Sequence, residues 1–118
     1  MSVVDIDWRQ RRIVENEASF RGINERLEAG LRQLRETPEL IDFICECGDR
    51  HCEETVPVTF EEYEQVRRDP RRFLVVPGHI FPEAERLVAR HERFHVIEKI
   101  GEAAPIADAS DPRGGRGS

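Results

Sequence analysis

Residues 40–58 read L-I-D-F-I-C-E-C-G-D-R-H-C-E-E-T-V-P-V. The apolar and β-favouring residues from Leu40 to Cys45 form a strand, the polar run G-D-R-H turns the chain, and Thr55-Val56-Pro57-Val58 returns as a second short strand. The product is a hairpin with Cys45, Cys47 and Cys52 at its tip. Pro57 has no amide proton to give to a ladder, so the return strand belongs at a sheet edge or at a strand's end. Gly48 lets the loop fold sharply enough to carry Cys52 back toward Cys45 and Cys47.

These three cysteines are all the chain has, crowded into eight positions. An odd count and very short intervening loops make a poor disulfide framework, whereas thiolates in a reducing compartment commonly hold metals. Zinc prefers four tetrahedral sulfur or nitrogen ligands, so one zinc ion per chain is expected here. The fourth ligand is sought among His51, His79, His91 and His95, with water as the alternative. His51 adjoins Cys52 too closely to share an ion without strain. His79 follows the rigid Pro77-Gly78 turn and can lean over the hairpin tip, which makes Cys45, Cys47, Cys52 and His79 the expected metal set. The charged neighbours Glu46, Asp49, Arg50 and Glu53 argue against a buried, purely packing role for the cysteines.

N-terminal to the hairpin, no proline interrupts the chain from Trp8 to about Arg35. Ile13, Phe20, Leu27 and Leu34 recur every seven residues with Ile23 and Leu31 beside them, the pattern of one long amphipathic helix ended by Thr37-Pro38. Gly22 and Gly30 weaken it, and Asn16 and Asn24 interrupt the seam that a strong coiled coil would need. Such a helix suits a protein partner, or self-association, better than an autonomous zipper.

C-terminal to the hairpin, Thr59 with Glu62 three residues on is a capping-box signature, and the order of acids before arginines suits the helix dipole, so a helix is expected from Phe60 to Arg68. Phe60, Tyr63 and Val66 give it a buried face, and Asp69-Pro70 stops it. Phe73-Leu74-Val75-Val76 reads as a strand, Phe81 to about Arg90 as a helix with Pro82 in its first turn, and Phe94 to Ile100 as a last strand. The remainder is small, polar and glycine-rich and reads as a flexible tail. The expectation is an α+β fold: an N-terminal amphipathic helix over 1–38, a zinc-stapled module of about four short strands and two short helices over 39–101, and a tail over 102–118.

A chain of 118 residues with 38% hydrophobic and 36% charged residues supports one small core that gains from a metal staple. Its net charge of −6 demotes nucleic-acid binding, since phosphate neutralisation dominates that affinity. The arginine pairs Arg67-Arg68 and Arg71-Arg72 are offset by Glu61, Glu62 and Glu64. No apolar run is long enough to span a bilayer and no secretory signal opens the sequence, which points to the cytoplasm.

The segments V-E-N-E-A-S-F-R-G-I-N-E-R, F-I-C-E-C-G-D-R-H-C, E-E-Y-E-Q-V-R, R-F-L-V-V-P-G-H and the closing D-P-R together resemble a family of small bacterial proteins of high-GC Gram-positive lineages. The resemblance covers nearly the whole chain. It implies that Cys45, Cys47, Cys52 and His79 form a unit, and it brings no activity with it. The functional expectation is a non-enzymatic regulatory or protein-interaction adaptor. The alternative is a metal-dependent hydrolase, with Glu46, Glu53 or Glu54 as base, or a thiol or redox-active protein using the same cysteines.

Overall fold

A computed structural model describes residues 2–113, with side chains from Arg11 onward. The fold is α+β: helix α1 (Ser2–Leu31), strands β1 (Ile41–Ile44) and β2 (Thr55–Val58), helix α2 (Phe60–Arg67), strands β3 (Arg72–Val75), β4 (Glu85–Arg90) and β5 (His95–Lys99), and helix α3 (Ala103–Ser110). The strands form two small antiparallel sheets, the hairpin β1-β2 and a three-stranded sheet in the order β3-β5-β4.

The hairpin has the expected form. Phe43 pairs with Val56 and Ile41 with Val58, and all four side chains point into the core. Pro57 lies opposite Asp42 on an outer strand, where a missing amide proton costs no ladder bond. Helix α2 begins with the full capping box: the Glu62 amide donates to Thr59 Oγ1 at 3.0 Å, and the Thr59 amide donates to Glu62 Oε1 at 2.9 Å. Tyr63 of this helix stacks on Phe43 with ring centroids 4.3 Å apart, which fixes α2 to the hairpin. The two sheets meet through backbone as well, since the Glu46 amide donates to Leu74 O at 2.7 Å.

Two expectations for the C-terminal half are corrected. Residues 81–90 are not a helix. Phe81–Ala84 form a turn in which the Ala84 amide donates to Phe81 O at 2.9 Å, and Glu85–Arg90 is a strand on the outer side of β5, bulged between Leu87 and Ala89. The local helical preference of P-E-A-E-R-L yields to pairing with β5, because strand formation depends on cross-strand context more than on intrinsic preference. The segment after Gly101 is not a tail throughout: α3 buries Ala103, Ala104 and Ala107, which lets it pack closely against α1, and Pro105 sits in its first turn, where no intrahelical donor is lost. The rest of the expected tail, 114–118, lies outside the described residues.

The buried face of α1 also differs from the seven-residue stripe. Ile13 and Val14 are buried, but the next turns present Glu17, Arg21, Asn24 and Glu28 to the interior, while Ile23 is 38% and Leu34 52% exposed. Each polar side chain has partners distant in sequence. Arg21 donates to the carbonyls of Pro70 and Arg72, lies 3.5 Å from Glu46 Oε1 and sits 3.8 Å over the Phe73 ring. Lys99, the chain's single lysine, is fully buried between Glu17, at 2.6 Å, and Glu85. The helix ends at Leu31 rather than at Thr37, unwinding through turns in which Gln33 donates to Gly30 O and Leu34 to Leu31 O.

Candidate metal centre

The hairpin tip and the Pro77-Gly78 turn meet at one point. Cys45 and Cys47 leave the end of β1, Cys52 returns in the same loop, and His79 is carried by the turn after β3, where its amide donates to Val76 O at 3.0 Å. One ligand atom from each of the four residues lies within 4.8 Å of every other, a group that could hold a metal ion. His79 Nδ1 is 3.5 Å from Cys45 Sγ and 3.8 Å from Cys52 Sγ. The structure thus brings together the four residues expected from the sequence.

Local structure fixes each of them. The Cys45 amide donates to Glu54 O at 3.0 Å, continuing the hairpin ladder, and Cys45 Sγ accepts the Val76 amide at 3.2 Å. The Cys52 amide closes a turn onto Asp49 O at 3.0 Å. Gly78 adopts φ 92, a left-handed conformation in which a side chain would be strained, so glycine here is what allows the turn to present His79. On the far side of the ring, His79 Nε2 lies 3.5 Å from a Glu54 carboxylate oxygen, the position of an outer partner that orients an imidazole.

Gly48 acts differently from expectation. A Cβ there would lie 2.4 Å from Ile13 Cγ2 and 3.1 Å from Phe81, so glycine permits the loop to press against α1. Asn16 secures the same contact by donating to Gly48 O at 2.8 Å.

Cys45 and Cys47 are buried, contrary to what their charged neighbours suggested, and Cys52 is half-buried. The thiols influence one another strongly. A hydrogen bond from Cys45 is the main cause holding the Cys47 thiol down at about 5, and contacts with the Asp49 backbone, His79 and Cys52 add to it against the cost of burial. The same bond, together with burial, pushes Cys45 up, and burial pushes Cys52 up. The cluster therefore favours a thiolate at Cys47, the ionisation state in which sulfur binds metals.

Glu46, between two of the cysteines, is not an acid of this centre. It is fully buried and turned the other way, accepting from Tyr63 Oη and Asn24 Nδ2 at 2.9 Å each and from the Leu74 amide at 3.1 Å. The remaining histidines also lie elsewhere: His51 is exposed beside Arg50, His91 stacks on Phe94, and His95 Nδ1 accepts the Gly78 amide. Three of the four arginines in the two pairs are bound to carboxylates: Arg67 pairs with Glu25 and Asp111, Arg71 with Asp108, and Arg72 with Asp69 and Glu98.

A depression of about 210 Å³ borders the centre, lined by Cys47, Asp49, Gly78, His79, Ile80 and Phe81. Asp49 is its one acidic residue, and that carboxylate accepts the His51 amide at 2.9 Å. Glu54 thus faces the imidazole, and Asp49 caps the loop. No helix among the described residues is long and apolar enough to cross a membrane. Comparison with protein-family models, curated proteins and solved structures finds no match.

Proposed function

We propose that Cys45, Cys47, Cys52 and His79 hold one zinc ion per chain as a structural centre, and that the protein is a non-enzymatic interaction module of the cytoplasm. The observation that carries this is the convergence of three sulfurs and one imidazole nitrogen within 4.8 Å. Tetrahedral zinc with bonds of about 2.3 Å to sulfur and about 2.0 Å to nitrogen requires sulfur and nitrogen to be about 3.5 Å apart. Cys45 Sγ and His79 Nδ1 are separated by 3.5 Å.

The centre's position supports a structural role. Three ligands come from the loop joining β1 to β2, and the fourth follows β3, so an ion there ties the hairpin to the three-stranded sheet. Ordering of the ten-residue loop between Ile44 and Thr55 would then depend on the ion, which couples metal binding to folding. Chelation at neutral pH is the test: it should lower the melting temperature and speed amide exchange at residues 45–54 and 76–80. Unchanged melting and exchange after complete zinc removal contradicts a structural role.

The interaction role rests on α1, whose expected apolar stripe is only partly covered, with Ile23 exposed on the helix and Leu34 and Leu40 exposed after it. Light scattering of wild type and Ile23→Glu tests self-association through this surface, a shift from dimer to monomer being the outcome in its favour. A monomer in both leaves a separate protein partner as the surviving form of the proposal.

A further inference from the structure

The three sulfurs of the cluster differ in access and in bonding. Cys45 is fully buried and its sulfur already accepts the Val76 amide at 3.2 Å. Cys47 is 2% exposed, but it lines the depression beside His79. Cys52 is the one cysteine that reaches the surface, its own amide closing a turn onto Asp49 O. A small oxidant arriving from solvent therefore meets Cys52 first.

Building on the zinc reading, we propose that Cys52 is an oxidation site and that a small hydroperoxide converts Cys52 and Cys47 into a disulfide that ejects the metal. In the first step the peroxide O–O bond breaks as an S–O bond forms on Cys52, giving a sulfenic acid and one hydroxide. The Cys47 thiolate then attacks that sulfur. The S–S bond forms, the S–O bond breaks, and a second hydroxide leaves. Two thiolates lose two electrons in total and one hydroperoxide gains them; the two hydroxides take up protons to become water, and an organic peroxide releases an alkoxide in place of the first hydroxide, which becomes an alcohol.

Cys47 is the resolving partner for two reasons. Its sulfur lies within 4.8 Å of that of Cys52, and it shares the open side of the cluster, whereas Cys45 is anchored to Val76 behind it. Once the disulfide forms, only Cys45 and His79 remain as ligands, too few for a structural zinc site. The staple between the hairpin and the three-stranded sheet is then released at the hairpin tip, where Gly48 and Asn16 attach the loop to α1.

The experiment uses the full zinc-loaded chain, titrated with hydrogen peroxide while a chromogenic chelator reads released zinc and peptide mass spectrometry maps the thiols. The expected result is one zinc released per peroxide consumed, a Cys47–Cys52 disulfide, and zinc uptake again after dithiothreitol. Zinc retained under oxidation, or oxidation falling first on Cys45, overturns the inference and leaves the zinc reading standing; protein isolated without zinc overturns that reading instead. Cys52→His keeps four potential ligands while removing the accessible thiol, so it should bind zinc and release it to peroxide about tenfold more slowly or less. Release from Cys52→His at the wild-type rate also overturns the assignment of Cys52.

Discussion

The side chain of Asn24 completes the hydrogen bonding of Ile44 as a neighbouring strand would: Nδ2 donates to Ile44 O at 2.8 Å, and the Ile44 amide donates to Oδ1 at 2.8 Å. A helix side chain thereby satisfies both backbone groups at the end of β1, one residue before the first cysteine. The same amide nitrogen donates to buried Glu46, so Asn24 ties helix, hairpin and buried acid together.

Replacing Asn24 with leucine should therefore destabilise the protein by about 2–4 kcal/mol, since it orphans the half-buried amide and carbonyl of Ile44 and removes part of a buried carboxylate's bonding. Urea denaturation measures this. Asn24→Asp should be at least as damaging, because it sets a carboxylate against Glu46. A loss below about 0.5 kcal/mol for Asn24→Leu, the level of an ordinary surface change, would remove this account of how α1 docks.

The buried cluster of Glu17, Glu85 and Lys99 contains two carboxyls for one ammonium. Burial is the main cause raising Glu17 well above its ordinary range, reinforced by Glu85 and opposed by Lys99. A raised carboxyl means the folded chain keeps a proton that the unfolded chain has released. Its contribution is complete below the unfolded value of 4.5 and declines as pH rises toward the folded value, by up to about 1.4 kcal/mol per pH unit. Glu17→Gln should flatten that decline in denaturation measured as pH rises from 4.5. Equal slopes in wild type and variant would mean that Glu17 carries no such proton.

Asp111 pairs with the buried Arg67 guanidinium at 2.6 Å, and this contact fastens the end of α3 to α2. Removing it with Asp111→Ala leaves Glu25 as the sole carboxylate bonded to Arg67, and a broken buried pair costs about 3–5 kcal/mol. Glu25 retains part of the charge balance, so the lower end is expected. Thermal and denaturant unfolding should both register it; a stability within about 0.5 kcal/mol of wild type would show that the C-terminal fastening is dispensable.

Glu54 faces His79 Nε2 while Nδ1 faces the sulfurs. Removing such an outer partner usually weakens a metal site by about 10–100-fold, so Glu54→Ala should lower zinc affinity in a chelator competition by an amount in or near that range. Solvent exposure of this carboxylate places the effect toward the smaller value. An unchanged affinity would mean that the turn at Gly78 alone orients the ring.

Much of this arrangement is written in contiguous residues and was legible for that reason. The hairpin follows from alternating apolar residues around a polar turn, the capping box of α2 from Thr59 and Glu62, and the cysteine cluster from three thiols within one loop. His79 was accessible through the turn that carries it. The interior of α1 was not, because Glu17, Arg21, Asn24 and Glu28 are buried only by virtue of partners tens of residues away, and periodicity ranks such positions as surface. Strand β4 escaped for a similar reason: its sequence favours helix, and pairing with β5 overrides it. Helix α3 escaped because small alanines and a proline resemble a linker until a helix is there to pack against. Around the centre, the Val76 amide on Cys45 and the Glu54 carboxylate at His79 depend on the fold and leave no spacing signature.

Elemental analysis of the untagged wild-type chain beside Cys47→Ser and His79→Ala decides whether these residues hold zinc. A zinc centre on Cys45, Cys47, Cys52 and His79 gives one zinc per wild-type chain, loss of zinc in Cys47→Ser and weakened retention in His79→Ala. Wild-type protein without bound metal, or full zinc retention in Cys47→Ser, would contradict it.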